Sequence, residues 1–146
     1  MNNLKIDPVL RQAVDSMIRK SPTFAALTAK LSKASGQYSI RLGKLPIKTP
    51  ALTLANLVSS GAVTIIDLGQ LNNLRYQTST GAKGLMTLER VIGHELSHAF
   101  YHEHLPLPFD RIAPHSFFIR HENKIMREID PSSPDRNEKN DILYTS

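Results

Sequence analysis

At 146 residues the chain fits one domain, and its 40% hydrophobic content suffices for one core. It has no cysteine, which excludes disulfides, thiolate metal sites and cysteine nucleophiles; any metal must be held by His, Asp or Glu. The net charge of +5 is uneven, with eleven Lys/Arg against Asp7, Asp15 and Asp67 in residues 1–88 and seven against ten acids in 89–146, but no aromatic-basic interleaving points to nucleic acid.

The opening residues, Met1 to Pro8, lack the apolar core of a secretory signal. No stretch reaches the roughly 18–20 apolar residues that span a bilayer. The expectation is a chain made as a soluble protein, with any export by another route. Val9, Leu10, Ala13, Val14, Met17 and Ile18 fall at helical spacing, with Asp7 as N-cap and Pro8 at the first helical position, so a helix is expected over 8–20. Ser21-Pro22 repeats that signal and opens a second helix to about 33, stopped by Ser35-Gly36. Residues 37–42 alternate as a half-buried strand. Residues 43–61, with two prolines and two glycines, read as loop with one short helical turn near 52–58. Residues 62–68 form the clearest strand, β-branched and almost continuously apolar. Residues 69–84 read as a connecting loop.

A long helix is expected from about 85 to about 103, ended by Leu105-Pro106-Leu107-Pro108. A last helix fits 117 to about 129, with Phe118, Ile125, Met126 and Ile129 inward. The organisation expected is one domain over 1–131, its helical part about 1–35 and its core about 36–131. A polar, loose tail covers 132–146. No internal repeat is visible.

The chemistry sits in the long helix, where His94-Glu95-Leu96-Ser97-His98 places two imidazoles one turn apart on one side. Both can reach a single Zn²⁺, expected at one per chain, with Glu95 beside them as the base that takes a proton from the attacking water. A catalytic zinc takes a third protein ligand and keeps one position open. Glu122, on the following helix, leads the candidates, an arrangement that resembles the gluzincins. His104 competes through its metzincin-like spacing, although Tyr101 stands where that family needs glycine and Met126 makes no Met-turn. Asp110 is a weaker third. Tyr101, His115 and Arg127 are candidate transition-state helpers, with His121 and Arg120 behind them. Glu89, Glu103 and Asp110 are candidates to orient the ligating histidines, and His102 has the same bland role.

The second half of the chain resembles the NleD-like effector zinc metallopeptidases of bacterial pathogens. The resemblance lies in 61–67 leading to His94-Glu95-Leu96-Ser97-His98-Ala99, then Glu122-Asn123-Lys124-Ile125-Met126-Arg127-Glu128, then Pro134-Asp135-Arg136. The loop between the two main blocks is short, and 129–134 departs from the pattern. The first 60 residues carry no signature of it. The resemblance implies Glu122 as the third ligand, and an effector or toxin secreted without a classical signal peptide that cleaves a protein in a recipient cell.

The expectation is therefore an α+β, zincin-like fold: a small sheet, an active-site helix and a ligand-bearing helix behind it. The function expected is that of a monomeric zinc endopeptidase. A metzincin-like protease using His104 and a non-catalytic basic binding module are the alternatives.

Overall fold

The computed structural model describes residues 3–55, 61–104 and 115–145; of Ala55 and residues 102–104 it describes only the backbone. The order of elements is β1 (Leu4–Ile6), α1 (Pro8–Lys20), α2 (Pro22–Lys33), β2 (Gln37–Leu42), β3 (Ala51–Ala55), β4 (Gly61–Ile66), α3 (Leu68–Leu71), β5 (Leu74–Gln77), β6 (Lys83–Leu85), α4 (Leu88–His104), α5 (His115–Ile129) and β7 (Leu143–Thr145). The fold class is α+β, as the sequence predicts.

Both N-terminal helices start where their caps dictate. The Asp7 carboxylate accepts from Val9 N, and Ser21 Oγ accepts from Phe24 N at the head of α2. Ser21 Oγ also donates to Glu128 of α5, whose second oxygen takes the Thr23 hydroxyl, so the α1–α2 corner is tied to the far end of the chain.

The main sheet has the order β1-β2-β4-β3. β1, β2 and β4 are parallel, and β3 runs antiparallel to β4 at the edge. Alternation sends Tyr38, Ile40, Ala62, Thr64 and Ile66 inward, where they join Leu10, Val14, Phe24 and Leu31 of the first two helices and Val91, Ile92 and Leu96 of α4 in one core. Each such apolar side chain stabilises the fold by about 1.5–3 kcal/mol. Gly61 is obligatory at its place: its φ is 126°, and a Cβ there would stand 2.4 Å from Gln37 O.

Four expectations need correction. Residues 51–55 are a strand, not a loop with a helical turn, because the ladder to β4 from Ala51↔Ile66 to Ala55↔Ala62 overrides a weak local preference; residues 56–60 lie outside the described set. The 69–84 segment holds α3, β5 and β6, with β5 alternating Leu74 and Tyr76 inward. α5 starts two residues early, at His115. The tail is not loose: β7 pairs with β5, Thr78 bridges Arg136, and Arg136 is buried. The buried Glu122 carboxylate and Asp141 accept from its guanidinium and hold it there.

Candidate functional site

Thr87 precedes α4 and its hydroxyl accepts from Arg90 N, and Glu89 in the first turn suits the helix dipole. One face of α4 meets the core through Val91, Ile92, Leu96 and Ala99; the next carries Arg90, His94 and His98 at four-residue spacing. α5 packs alongside and brings His115 from its first residue and Glu122 from two turns further on.

The structure draws three ligand atoms together. His94 Nε2 lies 3.2 Å from His98 Nε2 and 2.9 Å from His115 Nε2, and ligand atoms of all three histidines lie within 4.8 Å of one another. Nitrogens bound tetrahedrally to one zinc stand about 3.3 Å apart, so small side-chain adjustments satisfy the ion. Their other sides fix the tautomers. His94 Nδ1 donates to Glu122 Oε1 at 2.9 Å, and His115 Nδ1 donates to Asp141 Oδ2 at 2.6 Å. Both rings therefore turn Nε2 lone pairs on a shared volume. A proton there could serve one pair of nitrogens; a divalent cation serves all three. The donor set thus fits a metal ion, and this cluster could hold one.

His98 completes the set from a stacked position on Phe118, with ring centroids 3.7 Å apart. Burial, and then the neighbouring His94 and His115, lower its pKa to about 3, so near neutral pH its ring is uncharged and able to ligate.

Glu122, the expected third ligand, lies outside the converging trio of nitrogens. It stands behind His94, wholly buried, with Oε2 taking Arg90 NH1 at 2.8 Å and Oε1 taking Arg136 NH1 at 2.8 Å beside the imidazole. Burial alone would raise its pKa, but the His94 hydrogen bond and the charges of Arg136 and Arg90 outweigh that and hold it below the ordinary carboxylate range. It is ionised and fully engaged with donors, which suits orientation of His94 rather than ligation. Asp141 plays the same part for His115. The His115 hydrogen bond, opposed by burial and reinforced by Arg136, keeps it well below the usual range.

Glu95, beside His94 on α4, faces the same side of the molecule. It lines a cavity of about 170 Å³ together with His94, His115, Arg136 and Asp141. Its Oε2 accepts from Thr53 Oγ1 of the edge strand at 2.6 Å, and Thr64 backs Thr53 at 2.9 Å. A larger cavity of about 640 Å³, lined by the 45–50 loop and β7, shares Thr49, Pro50 and Leu143 with the first.

The remaining candidates scatter. Tyr101 bonds His121 at 2.7 Å and packs on Phe117 and Phe118, and it does not line the site cavity. Arg127 pairs with Asp135 on the surface. The side chains of His102, Glu103 and His104, and all of Asp110, lie outside the described residues.

Sequence reasoning missed Arg90, Asp141 and Arg136 in this role. Arg90 had a readable signal, being four residues before His94 on the same face. It bonds Glu122, Asn123 Oδ1, Ser133 Oγ and Pro134 O while lying 4.4 Å from the Tyr76 ring. Asn123 in turn bonds both the N–H and the carbonyl of Arg136. Residues 122–123 and 134–136 thus form one network behind the histidines.

The chain matches no protein-family model, no curated protein and no solved structure.

Proposed function

We propose that the protein is a zinc-dependent endopeptidase. The observation that carries this reading is the convergence of His94, His98 and His115, with the Glu95 carboxylate lining the adjoining cavity. An all-nitrogen donor set without thiolates suits zinc. His94, His98 and His115 would hold Zn²⁺, which would supply Lewis acidity towards a water and a carbonyl. Glu95 then accepts the water's proton and passes it to the leaving amine. Thr53 holds that carboxylate in place, and Glu122 and Asp141 keep two imidazoles in the ligating tautomer.

β3 supports a peptide substrate. It is the edge of its sheet among the described residues, it packs on α4, and it carries the Thr53 that contacts Glu95. An extended chain added to that edge would pass the histidine cluster. This geometry also favours a zincin-like description of the fold. The resemblance of 94–99 and 122–128 to effector metallopeptidases supports a substrate protein in a recipient cell, reached by a route other than a classical signal peptide.

The test compares new protein termini in recipient cells given wild-type or Glu95→Ala protein, with zinc content measured for both. Termini that depend on Glu95, at about one zinc per chain in each protein, support the reading. Identical termini from the two proteins overturn it.

A further inference from the structure

We infer that Arg136 is a positioning residue for the metal centre and that, with Asp141, it makes the C-terminal segment 136–145 a working part of that centre. The inference rests on the metal site of the reading above and is independent of hydrolysis.

The geometry is a single bridge. Arg136 NH1 reaches Glu122 Oε1, the same oxygen that accepts from His94 Nδ1. Arg136 NH2 reaches Asp141 Oδ1, while the other oxygen of that carboxylate accepts from His115 Nδ1. One planar guanidinium therefore clamps the two carboxylates that orient two of the three converging imidazoles. A lysine, a point charge on a flexible stem, cannot span both in this way.

The charges explain why a cation belongs there. Glu122 alone faces Arg90 and Arg136, a balance that keeps it ionised in the interior. Asp141 is half-exposed, and without Arg136 its contact with His115 would be an open surface pair of little strength. The guanidinium is itself buried, and Asn123 holds the Arg136 backbone by bonding both its N–H and its carbonyl. From Arg136 the chain runs through Asp141 into β7, which pairs with β5 from Leu74↔Thr145 to Tyr76↔Leu143. Metal affinity and the docking of this segment are therefore coupled, and the coupling is reciprocal.

The experiment titrates Zn²⁺ against a chromophoric chelator in wild type, Asp141→Ala, Asp141→Glu, Arg136→Lys and the surface control Glu138→Ala, with apo-protein circular dichroism checking that each is folded. Zinc affinity should fall about 10–100-fold in Asp141→Ala and Arg136→Lys, recover in part in Asp141→Glu and stay unchanged in Glu138→Ala. The two losses should be less than additive in the double variant, because Arg136 reaches His115 only through Asp141. Hydrogen exchange on the wild type supplies a second measurement that needs no variant: zinc should slow the amides of β7. Wild-type affinity in the folded Asp141→Ala and Arg136→Lys variants, or β7 exchange indifferent to zinc, would overturn the inference alone. A wild type that binds no zinc overturns it together with the functional reading.

Discussion

His94 Nδ1 and Glu122 Oε1 stand 2.9 Å apart, so the imidazole presents its other nitrogen to His98 and His115. That single contact assigns different consequences to two substitutions. His115→Ala should drop zinc content from about one per chain towards none, as the loss of a direct ligand does. Glu122→Gln should retain zinc at 10–100-fold lower affinity, as the loss of an orienting partner does. Metal analysis after gel filtration, with competition titration, checks both. The reverse order would restore Glu122 as the ligand.

Glu95 contacts Thr53 and lies outside the converging trio of nitrogens. Glu95→Gln should therefore leave zinc stoichiometry unchanged while reducing hydrolysis about 10²–10⁴-fold. Thr53→Val, which removes the donor to Glu95, should cost less, on the order of 10-fold, and should lower kcat rather than raise KM. Steady-state rates on a peptide spanning a mapped cleavage site decide both.

Arg90 is 1% exposed and makes four side-chain hydrogen bonds, to Glu122, Asn123 Oδ1, Ser133 Oγ and Pro134 O. Arg90→Met keeps much of the packing against Tyr76 but leaves a buried carboxylate short of a cation. Breaking a buried pair in this way costs about 3–5 kcal/mol. Urea unfolding of the apo-protein should show that loss in the midpoint with little change in slope.

Glu128 gathers three donors, Ser21 Oγ, Thr23 N and Thr23 Oγ1. Burial would raise its pKa, but the bonds from Ser21 and Thr23 outweigh it and lower the value. The unfolded state thus holds this proton more tightly than the folded one. The stabilisation is fully present above the unfolded value of about 4.3 and is lost as pH falls through the folded one. Glu128→Ala should destabilise by about 1 kcal/mol near neutral pH, allowing for solvent screening of a half-exposed group. The difference between variant and wild type should shrink below about pH 4, as thermal melts across that range would show.

The parts legible in the sequence were those with strong local chemistry. Asp7-Pro8 and Ser21-Pro22 set the two helix starts, and the apolar run ending in Ile66 could only be an interior strand. His94 and His98 were readable because four-residue spacing on a helix is enough to pair them. What stayed hidden depends on partners distant in sequence. β3 looks helical or irregular until β4 supplies its ladder, and β7 has three residues and no pattern of its own. Asp141, in a polar stretch, carries no sign that it will meet His115, 26 positions earlier. Glu122 stands out in the sequence, but its place depends on two arginines whose burial no local pattern reveals.

The groups around the cavity come from Thr53, from 90–98, from His115 and Glu122, and from Arg136 and Asp141. Contacts of such wide separation form late, since loop closure must be met before they repay it. Until Asp141 is in place, His115 lacks the carboxylate that orients it, whatever the helices have done. Orientation of His115 and the docking of residues 136–145 are, on this architecture, one event.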